Sequence, residues 1–258
     1  MRLYVKYFAI HLKSQMQYKA SFAMTFIGNF FVSFSVFLGI HFMFLRFDTV
    51  AGFTYEQVLL CFAAVLMSFC LAELFARGFD LFPSMIGNGE FDRIMVRPRG
   101  PIFQVLATKI DFTRIGRIFT AMVVLAYAIP NSGVLWSPAK IAVLAMMIIC
   151  GALIFFGLFL IYAALSFFTL EGLEFMNIFT HGGQDFGRYP FAVYGEGILK
   201  FLTFVVPFAL VQYYPLTFLL GMNQSPLRAL SPLLSLIFLP ICYGIFRFGL
   251  RRYKSTGS

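Results

Sequence analysis

The chain alternates long apolar runs with short polar intervals, and six of these runs constrain everything else: residues 21–45, 57–76, 118–129, 141–168, 198–220 and 233–248. About 20 apolar residues wound as a helix cross the hydrocarbon of a bilayer. Backbone at that depth must satisfy its own hydrogen bonds, which a helix does within one segment. The third run is short, but a helix starting at Pro101 and carrying Lys109, Asp111, Arg114 and Arg117 leads into it. The expected fold is an all-α integral membrane protein with six transmembrane helices. Only 12% of the residues are charged against 60% hydrophobic, whereas soluble domains carry roughly 25% charge. The 258 residues suffice for one membrane domain spanning 1–258, so a large energy-coupling domain would be a separate chain.

Charge placement gives the expected orientation. All but three of the 20 Lys and Arg fall on the side that holds both termini and the interval 77–117; Arg46, Lys140 and Arg228 fall on the other. The positive-inside rule then puts both termini in the cytoplasm. A net charge of +9 does not point to nucleic acid, because the basic residues sit at the ends of apolar runs, beside lipid headgroups. Residues 1–20 read as an interfacial helix, with Val5, Phe8, Leu12 and Met16 as an apolar stripe and Arg2, Lys6 and Lys13 along its edge. The stretch has no small-residue cleavage site and is not expected to be a removable signal. Cys61, Cys70, Cys150 and Cys242 all lie inside apolar runs without CxxC spacing, which favours neither disulfides nor zinc; no metal site is expected.

Within 77–117, the interval IGNGEFDRIMVRPRGP at 86–101 concentrates charge. Residues 90–96 can wind as a short amphipathic helix with Phe91, Ile94 and Met95 on one face. Glu90 and Asp92 at its start and Arg97 at its end suit the helix dipole, Pro98 stops it, and Gly87 and Gly89 loosen its entry. The bland alternative is a solvated loop between spans.

Gly89-Glu90-x-Asp92 with Arg97-Pro98 shortly after, following two apolar spans and preceding four, resembles the membrane (permease) subunit of type 2 ABC exporters. Pro207, Tyr213, Tyr214 and Pro215 near the end of the fifth run add to the resemblance, which covers essentially the whole chain. It implies that 77–117 is a cytoplasmic coupling loop whose helix, Gly89, Glu90, Phe91, Asp92, Ile94, Met95, Arg97 and Pro98, rests on a separate ABC ATPase subunit. It further implies a second permease subunit, identical or related, in a bacterial-type plasma membrane. The sequence has no Gly-x-x-x-x-Gly-Lys-Ser/Thr phosphate loop, so ATP and Mg are expected on the partner, and this chain is expected to be neither an enzyme nor a cofactor binder.

Polar residues inside the runs leave readings open. Asn29 suits a bond to a neighbouring helix or a place on the pathway, and Pro207, Tyr213, Tyr214 and Pro215 suit a broken segment that gates it. His41 lies near a water interface. Glu73, four residues before Arg77, is placed for a same-helix ion pair or for proton carriage. Residues 169–197 hold Glu171, Glu174, His181, Asp185, Arg188 and Glu196; a second cytoplasmic contact loop is expected there rather than a metal or general-acid site. Two other classes compete with the exporter subunit. A secondary transporter needs a coupling site near the midplane, and a membrane enzyme needs convergent catalytic groups; neither is evident.

Overall fold

The computed structural model describes residues 2–169 and 173–254; Glu171 lies outside the described residues. Among the described residues fourteen α-helices succeed one another, with four short 3-10 turns between them and no strand. Helices α1 (Arg2–Met16) and α2 (Lys19–Phe44) lead into the long α3 (Tyr55–Asp80). Three short helices follow: α4 (Phe82–Gly87), α5 (Glu90–Met95) and α6 (Pro101–Thr108). Next come α7 (Ile115–Asn131) and α8 (Pro138–Leu165). The chain then breaks into α9 (His181–Phe186), α10 (Glu196–Phe204), α11 (Phe208–Val211) and α12 (Tyr213–Leu219), and closes with α13 (Pro226–Leu234) and α14 (Phe238–Arg252).

Among the described residues, five helical stretches are long and apolar enough to cross a membrane: 19–44, 55–87, 112–131, 138–165 and 226–252. The sixth is the pair 196–204 and 208–219, bent by 88°. Pro207, with no amide to donate and a ring that crowds the preceding turn, stands at that bend.

Helix α3 is the axis of the bundle. Its apolar residues cover its whole circumference, as a helix enclosed by others requires, and it packs chiefly against α7 and α8. Lipid tails provide no hydrophobic drive for helices to associate, so packing and polar glue carry the bundle. The single hydrogen of Ser68 Oγ is shared between Ala64 O at 2.8 Å and Ile148 O at 3.0 Å, fixing α3 on α8. Asn29 Nδ2 donates to Thr113 O at 3.0 Å, fixing α2 to the turn before α7.

Both described ends of the chain meet the Asp80 end of α3. His11 Nε2 lies 2.9 Å from Ala107 O, Gln15 donates to Ile110 O at 2.7 Å, and Tyr253 Oη bonds Asp92 Oδ1 at 2.9 Å. In α1 the expected stripe is divided: Phe8 packs on Phe112, while Val5, Leu12 and Met16 stay exposed.

The expected contact loop at 169–197 is different. Residues 181–189 run along α3 itself: the His181 ring is 5.2 Å from Phe69, Gly187 O is 3.5 Å from Cys61 Sγ, and Tyr189 Oη reaches Met43 Sδ at 3.5 Å. Irregular backbone at this depth is tolerated only where protein satisfies it. Gln212 does so, donating to Gly187 O and Tyr189 O at 3.2 and 2.7 Å and accepting from Phe191 N at 3.2 Å. A Cβ at Gly187 would stand 2.7 Å from Val65, so glycine is what lets the segment press so closely. Arg188, assigned by sequence to the terminal side, therefore sits level with the Cys61 part of α3.

Candidate functional site

The charged interval forms a helix where expected. Gly89, at φ 69°, turns the chain into α5 in a left-handed conformation that costs glycine little. Glu90 and Asp92 occupy its first turn. Past Val96 the chain leaves through Arg97, Pro98 and Arg99, and Gln104 Nε2 holds that exit by donating to Ile94 O at 3.0 Å and Arg99 O at 2.7 Å.

The apolar face points the other way from the one expected for a docking surface. Phe91 is 0% and Ile94 6% exposed, so neither can be inserted into another protein. Helical spacing puts residues on one face without saying which body that face meets, and here it is this chain's own core. The Phe91 ring lies 4.9 Å from Phe82, 5.5 Å from Phe167 and 5.1 Å from Tyr253, in edge-on or tilted geometry. Phe246 of α14 closes the group against Phe82 and Phe167. Together they tie α5 to α4, to the exit of α8 and to the last helix. Such ring pairs add about 0.5–1.5 kcal/mol each beyond burial. Burial, then the hydrogen bond with Asp92 and its charge, push the Tyr253 phenol up to about 12. The outward face of α5 and its exit carries Glu90, Arg93, Met95 (45% exposed), Val96 (84%), Arg97 and Pro98, while Gly89 and Asp92 are half-buried.

Beside this mount lies a buried ionic cluster that sequence reasoning saw only as the pair Glu73–Arg77. The Glu73 side chain is fully buried, 3.7 Å from Arg77, 3.4 Å from Arg114 and 3.3 Å from Arg117. Asp111 lies 3.3 Å from Arg114, and Asp80 pairs with Arg77. Arg117 also donates to Ser33 Oγ at 3.3 Å and Gln184 Oε1 at 2.8 Å and lies over the Phe69 ring. One guanidinium thus joins α2, α3, α7 and α9. The single helix expected from Pro101 through Lys109, Asp111, Arg114 and Arg117 is broken after Thr108, where Lys109 is extended; the spacing of three between Arg114 and Arg117, ahead of an apolar run, is the available signal that they share a face.

The five candidate pathway residues do not form one site. Asn29 is consumed in the helix–helix bond to Thr113. Pro207 sits at the bend, Tyr214 Oη meets Thr203 Oγ1 at 3.3 Å beneath Arg228, and Pro215 is buried in α12 next to Tyr213. His41 Nδ1 lies 3.2 Å from Tyr55 Oη at the other end of α3. Among the described residues no group of three or more His, Cys, Asp or Glu side chains could hold a metal ion. An apolar cavity of about 170 Å³ lies between α9, α10 and α11, lined by Phe179, Phe186, Phe201 and Phe208 among others.

A family model described as ABC-2 family transporter protein matches residues 30–257. No curated protein and no solved structure matches the chain.

Proposed function

The chain belongs to the ABC-2 family of transporter proteins and is a multi-pass membrane subunit of the permease type, and from that premise we propose that it is half of the pathway of an ATP-driven exporter, worked by a separate ATPase through α5. The observation that carries the proposal is the mounting of α5. It is a short helix at the end of the bundle that bears both described termini, with its inner face locked into the protein and its outer face open. On that outer face Met95 and Val96 are the apolar contacts, flanked by Glu90 and Arg93. Burying one such side chain at an interface is worth roughly 1.5–3 kcal/mol. Phe91 and Ile94 serve as the inner anchor, so a push on α5 reaches α8 and α14 through packed rings rather than dissipating in a loop.

ATP and Mg act on the partner, and this chain supplies movement and the wall of a pathway. Its own centre is filled: Phe69, Phe155 and Phe159 are buried between α3 and α8. This supports placing the pathway between two permeases, identical or related, whose outward-facing flanks include the exposed residues Met24, Ile27 and Phe31 of α2. Alternating access then follows from small rotations of the two rigid bundles as the ATPase pair closes. The Glu73 carboxylate faces three guanidiniums, which supports a structural role and not proton carriage.

Purification of the tagged chain from its native membrane, with mass spectrometry of the associated chains, tests the reading. A phosphate-loop ATPase at a stable ratio and a permease pair are expected, with no ATP turnover by the isolated chain. A chain that is active and monomeric without any ATPase would refute it.

A further inference from the structure

Beyond coupling, a cleft between α1 and α6 has the chemistry of a binding site. It encloses about 200 Å³ and is lined by Leu3, Tyr7, Phe103, Ala107 and Thr108 on its apolar side and by Arg97, Pro98, Arg99 and Gln104 at its rim. Drug-sized ligands need about 300 Å³ or more, so this volume suits a single headgroup. No acidic residue lines it, and neither Arg97 nor Arg99 has an ion-pair partner among the described residues. Two exposed cations are thus held side by side in a turn that Gln104 fixes through both of its amide hydrogens.

The same Gln104 is 8% exposed, and its Oε1 is buried with no hydrogen-bond partner. That atom has no accessible surface, so Gln104 acts here by holding the turn, and the two arginines set the ligand. The required ligand is therefore an anion that tolerates an apolar floor. Helix α1 says where it comes from. Its exposed Val5, Leu12 and Met16 share a face that suits a membrane surface, and the cleft opens beside it.

We propose that the α1–α6 cleft binds the headgroup of an anionic membrane phospholipid. The phosphodiester sits between Arg97 and Arg99, and the glycerol end of the acyl chains lies along Leu3 and Phe103. Because Arg97 directly follows the α5 exit, an occupied cleft would brace the coupling helix against the membrane. The proposal does not depend on which partner α5 contacts.

Native mass spectrometry of the full chain tests it, with phosphatidylglycerol titrated against phosphatidylcholine. Wild type should retain phosphatidylglycerol selectively. The Arg97→Gln/Arg99→Gln variant should bind it roughly thirtyfold more weakly, the combined effect of two juxtamembrane arginines. Arg251→Gln, exposed at the end of α14 and outside the cleft, should behave as wild type. The proposal is overturned if the double variant retains the lipid unchanged or if phosphatidylcholine binds equally. Displacement by inorganic phosphate at matched concentration would also overturn it, by showing a free-phosphate site.

Discussion

Replacing Glu73 with Gln removes one charge from a cluster in which Glu73, Asp80 and Asp111 face Arg77, Arg114 and Arg117. Three carboxylates balance three guanidiniums, and the variant leaves one half-buried cation without its counterpart. Glu73 is the member that lies within 3.7 Å of all three arginines, so no other acid can take over its role. Glu73 Oε1 has no hydrogen bond and Oε2 accepts one long one, from Arg117 at 3.3 Å, so the contribution of the carboxylate is mainly Coulombic and therefore exposed to loss of charge at constant shape. Breaking one side of a buried ion pair costs roughly 3–5 kcal/mol. For a chain of this size that corresponds to a fall of about 10 °C in apparent unfolding temperature. Heating the purified chain in detergent and measuring the remaining monodisperse fraction by size exclusion reads this directly. Glu73→Gln with Arg114→Gln, which restores the balance, should recover part of the loss. Lys200→Gln, at an exposed pair with Glu196, should leave the temperature unchanged. A shift for Glu73→Gln no larger than that of Lys200→Gln would refute the reasoning.

Phe91→Ala should destabilise the chain by about 3–5 kcal/mol, as loss of a buried aromatic does; Met95→Ser should not, and the same heating assay separates the two. The raised pKa of Tyr253 means that its protonated phenol stabilises the fold fully below the ordinary value of 10.0 and that this contribution is lost as pH rises through about 12. Stability of wild type minus that of Tyr253→Phe, measured across this range, should be constant at lower pH and shrink above it. Cysteine placed at Asn88 should be protected from impermeant thiol reagents in intact cells and cysteine at Leu135 should react; the four native cysteines are buried.

The helical membrane fold was legible because hydropathy over 20 residues answers to one strong constraint, the cost of unpaired backbone in hydrocarbon. Pro207 likewise announced the bend, since its missing amide acts locally. The existence and length of α5 were readable from Gly89 and Pro98. Its facing was not: Phe91 and Ile94 share a face in any environment, and the ring partners of Phe91, namely Phe82, Phe167 and Tyr253, come from three separate places in the chain. The same holds for Glu73. Its partner four residues away was visible, but Arg114 and Arg117 reach it only once α7 is laid against α3. The inserted segment at 181–189 was hidden because its backbone is satisfied by a glutamine at 212, a long-range remedy with no local signature.

The central claim is that the exposed end of α5 touches an ATPase, and a photo-crosslinking residue placed at Val96 in native membranes tests it most directly. Val96 is 84% exposed and bears on no core contact, so the substitution leaves the fold intact. Illumination should yield a covalent adduct between this chain and a phosphate-loop ATPase, and the same residue at Leu135, near the opposite end of α3, should yield none. No ATPase adduct at Val96, or an equal one at Leu135, would contradict the account.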